Sequence, residues 1–162
     1  MGGLTKLIHS MIILLEDQEG NRHPVEAVVI AAHSSLVRNI LKYEGVTELV
    51  MVPCGIDGEM EAIRTTKVIN LPIQSTALAE IISFVENGNL DFKLELISDI
   101  LVGSEYLGMR ALSRIIISRM SHELNFINVP SVLSFSREFM IPELEDLCKR
   151  LINTWHLVFQ TT

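Results

Sequence analysis

The clearest pattern in the chain is a helical repeat of apolar positions between residues 94 and 123. Apolar residues recur at helical spacing on both sides of Gly108. They are Leu94, Ile97, Ile100, Leu101, Met109, Leu112, Ile115, Ile116 and Met120. A glycine directly after a helix commonly reverses the chain, so the pattern predicts two helices folded back on each other at Leu107 and Gly108. Gly103 and Ser104 lack side-chain bulk, which predicts that a neighbouring element approaches the first helix closely.

Two β-prone runs near the start of the chain predict a β-hairpin. Residues 11–16 (MIILLE) form a continuous run, and residues 22–29 (RHPVEAVV) follow after a polar turn. Pro24 has no backbone N–H for a sheet hydrogen bond, which places it on an edge strand or at a non-bonded position. Residues 67–71 (KVINL), closed by Pro72, predict a short third strand.

Apolar spacing predicts helices on either side of this third strand. The chain turns helical at Ala27, and Ser34 is a suitable N-cap for the next helix. The apolar face of that helix consists of Leu36, Val37, Ile40 and Leu41. After the third strand, Ser75 is expected to cap a helix that ends at Gly88.

Two more helices are expected at the end of the chain. One begins near Val129 with Pro130 in its first turn, and the other covers residues 142–155 with a single apolar stripe. Residues 44–66 show no clear period, which predicts a long loop. A few short strands followed by helices, in a chain long enough for one core, predict the α+β class.

The composition favours a protein partner over nucleic acid or a membrane. Hydrophobic residues make up 48% of the chain and its mean hydropathy is +0.35, so a partner is expected to cover part of the surface. The 13 basic and 20 acidic residues give a net charge of -7 without any basic run, which argues against nucleic-acid binding. No apolar run approaches the roughly 20 residues that span a bilayer.

The sequence shows no pattern of catalysis or of metal binding. Its five histidines form no HxxxH or HExxH pair, and it has no P-loop, GxGxxG or GxSxG motif. The acidic cluster at 143–146 matches the positive end of a helix dipole. Cys54 and Cys148 lack metal spacing and are typical of reduced thiols in the cytoplasm or nucleus. We therefore expect a protein that is not an enzyme and that holds no metal or cofactor.

The order and spacing of several segments resemble the BTB/POZ fold, which elongin C and the S-phase kinase-associated F-box adaptor share. The segments that carry the resemblance are 12–14 (IIL), Gly20 and Val25, 31–36 (AAHSSL), 68–72 (VINLP), 84–90 (FVENGNL) and 101–107 (LVGSEYL). Residues 139–148 (FMIPELEDLC) are similar to the helical extension that follows the domain in BTB substrate adaptors. At 103–105 this chain has Gly-Ser-Glu, where the family usually has alanines followed by Asn or Lys.

This resemblance implies a BTB/POZ domain over residues 11–123, with a small, mainly three-stranded sheet flanked by helices. It implies a C-terminal helical extension over residues 124–157. Family members of this kind are adaptors without catalytic activity, which join a cullin-type ubiquitin ligase scaffold to a client protein. The residues at the cullin-binding positions are Leu41, Tyr43, Val46, Glu48 and Tyr106. The client is expected on the helices after Val129.

A second role is open on the same resemblance. Some BTB domains act as homo-oligomerisation modules in transcription factors and channel assemblies. Only about ten residues precede the first strand, fewer than the helix and swapped strand through which many BTB domains dimerise. A swapped dimer is therefore not expected, and a homodimer of another kind remains an alternative.

Overall fold

The computed structural model of the protein describes the backbone of residues 12–44, 48–54, 59–65 and 68–160. Side chains are described for residues 12–41, 68–158 and 160. The elements, in chain order, are β1 (Ile12–Glu16), β2 (Arg22–Glu26), α1 (Ala27–His33), α2 (Ser35–Glu44), β3 (Glu48–Cys54), β4 (Glu59–Thr65), β5 (Val68–Asn70), α3 (Ser75–Asn87), α4 (Ile97–Leu107), α5 (Arg110–Glu123), α6 (Val129–Glu138) and α7 (Pro142–Gln160). The described strands all lie before residue 71, with α1 and α2 between β2 and β3, and the elements after β5 are helical, which confirms the predicted α+β class.

The chain forms two compact units, of which the first ends at Arg110 and the second begins at Ala111. The division falls at the start of α5, whereas the domain boundary predicted from sequence lies at residue 123. Compactness alone does not locate a domain boundary within a family, so the predicted ranges 11–123 and 124–157 stay a prediction.

A three-stranded sheet opens the first unit. β1 pairs antiparallel with β2 and parallel with β5, in the order β2-β1-β5. The predicted hairpin and third strand are therefore confirmed. Pro24 lies opposite Leu14 on the edge strand β2, as its missing N–H requires. Ile13, Leu14 and Leu15 of β1 are all buried, because both faces of this central strand are covered.

Residues 44–66, for which the sequence predicts a long loop, contain an antiparallel strand pair instead. β3 pairs with β4 from Glu48 opposite Thr65 to Cys54 opposite Glu59. The loop prediction was wrong because Pro53 and the charged residues of β4 obscure a period-2 pattern. The pairing satisfies the backbone N–H and C=O groups of both strands. Pairing between two segments cannot be read from the periodicity of either segment alone.

The turn between β1 and β2 is organised by the buried carboxylate of Asp17. Its Oδ1 accepts hydrogen bonds from the N–H groups of Glu19 and Asn21 at 2.9 and 3.0 Å, and its Oδ2 lies 2.7 Å from Nε2 of His23. Burial alone would raise the pKa of this carboxyl. Hydrogen bonds from His23, Asn21, Ser75 and Glu19 outweigh that effect and lower the pKa to about 2. The turn therefore holds the ionised form of Asp17.

The start of α3 is capped from this turn rather than by its own sequence. Ser75 is the first helical residue, and its backbone N–H donates to Oε2 of Glu19 at 2.9 Å. The predicted capping role of Ser75 was wrong because a carboxylate distant in sequence satisfies this end of the helix. The predicted helix end is confirmed, since Gly88 follows α3 with φ 66°.

Ser34 joins α1 and α2 to the end of α4. Its Oγ accepts the N–H of Val37 at 3.1 Å, which confirms the predicted cap, and donates to the carbonyl of Leu107 at 2.6 Å. Gly108 ends α4 in the left-handed conformation with φ 67°, and a Cβ at Gly108 would collide with Oγ of Ser35. The start of α2 is therefore held against the end of α4.

α3 and α4 pack closely at Gly103. A Cβ at Gly103 would lie 2.9 Å from Cδ1 of Ile81 and 3.2 Å from two side-chain carbons of Ile73. Both isoleucines are buried, so their side chains would have to shift within a packed core to admit a methyl group. The close approach predicted at Gly103 is confirmed.

The second unit consists of most of α5 together with α6 and α7. α6 has Pro130 in its first turn, as predicted, and packs against α7. α7 is buried at Leu144 and Cys148 and extends past the predicted end at Trp155 to Gln160. Phe126 lies beside Trp155 with ring centroids 4.0 Å apart, so the α5–α6 connection covers part of the last turns of α7.

Replacing Ser34 by Ala is expected to lower the free energy of unfolding by about 2–3 kcal/mol. The change removes an N-cap and leaves the buried carbonyl of Leu107 without its hydroxyl donor. Ser35→Ala is the matched control, because the Ser35 hydroxyl is exposed and its hydrogen bond to Gly108 is long, at 3.4 Å. Urea unfolding of both variants measures the difference. Equal losses in the two variants would contradict the role given to Ser34.

Gly103→Ala is expected to destabilise the protein by about 1 kcal/mol, although alanine favours helices over glycine by a similar amount. The added methyl group presses on Cδ1 of Ile81. Ile81→Val removes that atom, so the double variant should lose less stability than the two single losses added together. A double-mutant cycle in urea measures this coupling, and strict additivity of the two losses would refute the contact.

Asp17→Asn is expected to flatten the acid dependence of stability. The folded-state pKa of about 2 lies below the unfolded value near 3.9, so the stabilising effect of ionised Asp17 is complete above about pH 4. That effect is lost as the pH falls through about 2. Urea midpoints measured between these limits should fall steeply in the parent and less in Asp17→Asn. The exposed Glu26→Gln serves as the control, and the same slope in parent and Asp17→Asn would rule out this assignment.

Candidate functional site

The exposed end of α4 carries one of the five residues predicted to bind a partner. One face of this helix is buried. It consists of six residues at helical spacing: Ile97, Ile100, Leu101, Gly103, Ser104 and Leu107. Tyr106 lies on the opposite side and half of it is exposed, at 50%. An aromatic side chain is kept in solvent here because the helical period places it away from the buried stripe.

The helix end that presents Tyr106 is rigidly held. Ser104 is fully buried, its Oγ donates to the carbonyl of Met109 at 3.1 Å, and the N–H of Met109 donates to the carbonyl of Ser104 at 2.9 Å. The next residue after Tyr106 is Leu107, whose carbonyl accepts the hydroxyl of Ser34. These bonds fix the backbone on both sides of Tyr106, which lowers the entropy lost when a partner binds to it.

Gly103 and Ser104, where the chain departs from the usual BTB alanines, point into the protein. Both residues are buried, and Gly103 faces the side chains of α3. The exposed surface at this end of α4 is formed by Glu105 and Tyr106. The departure at residues 103 and 104 is therefore a change of packing, and only Glu105 alters the surface.

The other predicted residues lie at or beyond the far end of α2. Leu41 is half-buried on this helix, and Tyr43 belongs to its last turn. Glu48 begins β3, and Val46 lies outside the described residues. Leu41 is seven residues from Ser34, or about 10 Å along the helix axis. The structure thus brings Tyr106 to the beginning of α2 and leaves Leu41 and Tyr43 towards its end.

An open groove of about 390 Å³ runs between α5 and α7 in the second unit. It is lined by Arg114, Ile117, Ser118 and Ser121 of α5 and by Glu143, Asp146, Leu147 and Arg150 of α7. Both sets follow the spacing i, i+3, i+4, i+7, which places each set on one helix face. The sequence analysis assigned no site residue to this groove, although the spacing indicated that each set of residues lies on one helix face.

Charged groups hold α6 to α7 beside this groove. Oε1 of Glu145 lies 2.9 Å from Nζ of Lys149 and 3.2 Å from Nε of Arg137. The hydrogen bonds from Lys149 and Arg137 lower the pKa of the Glu145 carboxyl despite partial burial. Cys148 is fully buried, and burial raises the pKa of its thiol, which keeps it protonated. These groups stabilise the helix pair.

The described residues offer neither a cluster of metal ligands nor a helix that could span a membrane. Among them, no group of three His, Cys, Asp or Glu side chains is placed to hold a metal ion. Within the same part of the chain, no helix is long and apolar enough to cross a membrane.

Comparison with known proteins gives a match at the level of structure. No protein-family model matches the chain, and no curated protein sequence matches it. The BTB domain of zebrafish PATZ1 is similar over 68% of this chain and 75% of its own, with 14% identity and a TM-score of 0.50. The BTB (Tramtrack and Bric a brac) domain of human gigaxonin matches over 72% of this chain and 81% of its own, with 18% identity and a TM-score of 0.47.

The likeness to the PATZ1 domain agrees with the architecture described above. The segments that resemble this fold in the sequence and the elements of the structure come in the same order. An early hairpin and a third strand are followed by a helical cluster. At this low identity the match concerns the fold alone. The chain therefore has the BTB/POZ fold.

Proposed function

We propose that the chain is an adaptor without catalytic activity that links a cullin-type ubiquitin ligase scaffold to a client protein. The observation that carries this proposal is Tyr106, an aromatic residue that is 50% exposed on a rigidly held helix end in a BTB/POZ fold. Tyrosine is enriched at the centre of protein interfaces because it offers a large apolar area and a hydroxyl group. The proposal places this protein in the cytoplasm or the nucleus.

The cullin surface in this proposal consists of Leu41, Tyr43, Val46, Glu48 and Tyr106. Two features support it. Leu41 is half-buried and so leaves apolar area within reach of a partner. The carboxylate of Glu48 would set the register against a basic group of the cullin. In the same proposal, residues 11–123 form the adaptor domain.

The client would bind to the helical extension over residues 124–157. The α7 side of the groove between α5 and α7 belongs to this extension and supports the assignment, because it combines the apolar Leu147 with charges of both signs on Glu143, Asp146 and Arg150. Ile127, which precedes α6, is 89% exposed and adds apolar area on the same extension. The two partners would then occupy different parts of the chain, as an adaptor requires.

Homo-oligomerisation is a second candidate function, and exposed apolar residues of the second unit favour it. Ile127 is 89% exposed, Met140 76% and Leu157 66%. Side chains of this size are often covered in an assembly. Light scattering separates the two roles, because a stable dimer or tetramer without affinity for any cullin would favour assembly.

The N-terminal domains of cullins are the test partners for the first candidate function. We expect at least one of them to bind the purified full chain in biolayer interferometry. Tyr106→Ala, and separately Val46→Asp combined with Glu48→Lys, should each weaken binding by at least about tenfold, because each removes a central contact.

Ile127→Ala provides the matched control, since it changes an exposed apolar residue outside the proposed cullin surface. Its affinity should stay within about twofold of the parent. Circular dichroism checks that every variant is folded. Absence of binding to all cullins, or unchanged binding in both surface variants, would exclude the proposed cullin surface.

A further inference from the structure

The exposed face of α4 and the turn before it form a continuous stripe of acidic and apolar side chains, here called the α4 stripe. A 3-10 turn at Leu94–Leu96 leads into the helix. The stripe consists of Leu94, Glu95, Ser98, Asp99, Val102, Glu105 and Tyr106. Positions 95, 99, 102 and 106 follow the spacing i, i+4, i+7, i+11, so they form one column opposite the buried face.

The charges of the α4 stripe are all negative. Residues 94–107 contain three acidic residues, Glu95, Asp99 and Glu105, and no basic one. Among the described residues, none of these carboxylates makes an ion pair. Elsewhere the chain does neutralise such groups: Glu145 of α7 lies between Lys149 and Arg137. Lys93 and Arg110 flank the stripe in sequence, but among the described residues neither makes an ion pair with one of its carboxylates.

Apolar side chains are interleaved with these carboxylates. Leu94 is 68% exposed, Tyr106 is 50% exposed and Val102 is partly exposed between them. Leu94 and Tyr106 thus place apolar area at the two ends of the stripe, with carboxylates between and beside them. Apolar anchors flanked by charges are the arrangement found in protein interfaces.

The form of the partner follows from the backbone of α4. The N–H and C=O groups within a helix bond to each other, so the side of α4 offers no backbone partner to an extended peptide. A helical segment that docks along it satisfies its own backbone, whereas an extended one would depend on water for its hydrogen bonds. The stripe is about 20 Å long, enough to contact about four turns of such a helix.

We propose that the α4 stripe binds a basic amphipathic helix of a partner protein. Its apolar residues would contact Leu94, Val102 and Tyr106, and its Lys or Arg residues would face Glu95, Asp99 and Glu105. This inference rests on the proposed role as a protein-interaction module, with which it shares Tyr106. It adds the charge and form of the bound segment, and it assigns contact residues outside the proposed cullin surface.

A designed helical peptide of about 18 residues tests the proposal, with leucines on one face and lysines on both flanks. Fluorescence anisotropy measures its binding to the full 162-residue chain. We expect saturable binding that weakens between about 50 and about 300 mM NaCl, because salt screens the charge pairs. A peptide with glutamate in place of every lysine should not bind. Equal binding of the two peptides would overturn the proposal.

Charge reversal locates the binding surface. Glu95→Lys combined with Asp99→Lys should weaken binding of the lysine peptide by about tenfold or more. Glu86→Lys is the matched control, since Glu86 is an exposed acidic residue of α3 outside the stripe, and its affinity should stay within about twofold. Unchanged binding after the double reversal, or NMR shifts confined to the groove between α5 and α7, would refute the α4 stripe as the site.

The two proposals fail in different ways. Loss of all cullin binding with retained, stripe-dependent peptide binding would remove the cullin and keep the α4 stripe. Cullin binding with no stripe-dependent peptide binding would keep the adaptor and remove the basic helix. Neither Glu95 nor Asp99 belongs to the five residues of the cullin surface, so their variants do not confound the two tests.

Discussion

The buried hydroxyl of Ser34 is the interaction on which the arrangement of the first unit depends most directly. One oxygen caps α2 through the N–H of Val37 and donates to the carbonyl of Leu107 at the end of α4. A buried polar group must be hydrogen-bonded, and here the two bonds satisfy the ends of two helices at once. Any displacement of α4 relative to α2 would break at least one of them.

The same constraint explains the small residues around the α4 terminus. Gly108 has the left-handed backbone that ends the helix and leaves room for Ser35, while Gly103 leaves room for Ile81 on α3. One face of α4 is thereby pressed into the core along its length. The other face stays in solvent, and it carries Tyr106 and the unpaired carboxylates. Tight packing on one side and the proposed contact surface on the other follow from one helical period.

The two proposed surfaces, the α4 stripe and the cullin surface, differ in the elements that form them. The α4 stripe lies on one helix and the turn before it, and the end of that helix is held by the hydrogen bonds of Ser34 and Ser104. The proposed cullin surface combines Tyr106 with residues at the far end of α2 and at the start of β3. Fixed placement lowers the entropic cost of binding, which favours the end of α4 as a contact region.

Much of the fold could be predicted because it depends on local patterns. The continuous apolar run of β1, the helical spacing in α4 and α5, and the glycines that end α3 and α4 all report interactions within a few residues. Three features of the fold were not predicted from the sequence. The β3–β4 pairing depends on backbone groups of two segments, the N–H of Ser75 is capped by Glu19, and α7 continues past the predicted end at Trp155 to Gln160.

The candidate site, like the fold, was only partly predictable from the sequence. Sequence alone identified Tyr106 and the small residues before it through a family resemblance, and it indicated a protein partner through composition and charge. The missing bulk of Gly103 and Ser104 also predicted a close approach there, but only the tertiary structure decided that Ile81 of α3 makes it and that Glu95, Asp99 and Tyr106 share the side of α4 that is not buried. The reason is physical: periodicity tells which residues lie on one side of a helix, but burial depends on what packs against that side.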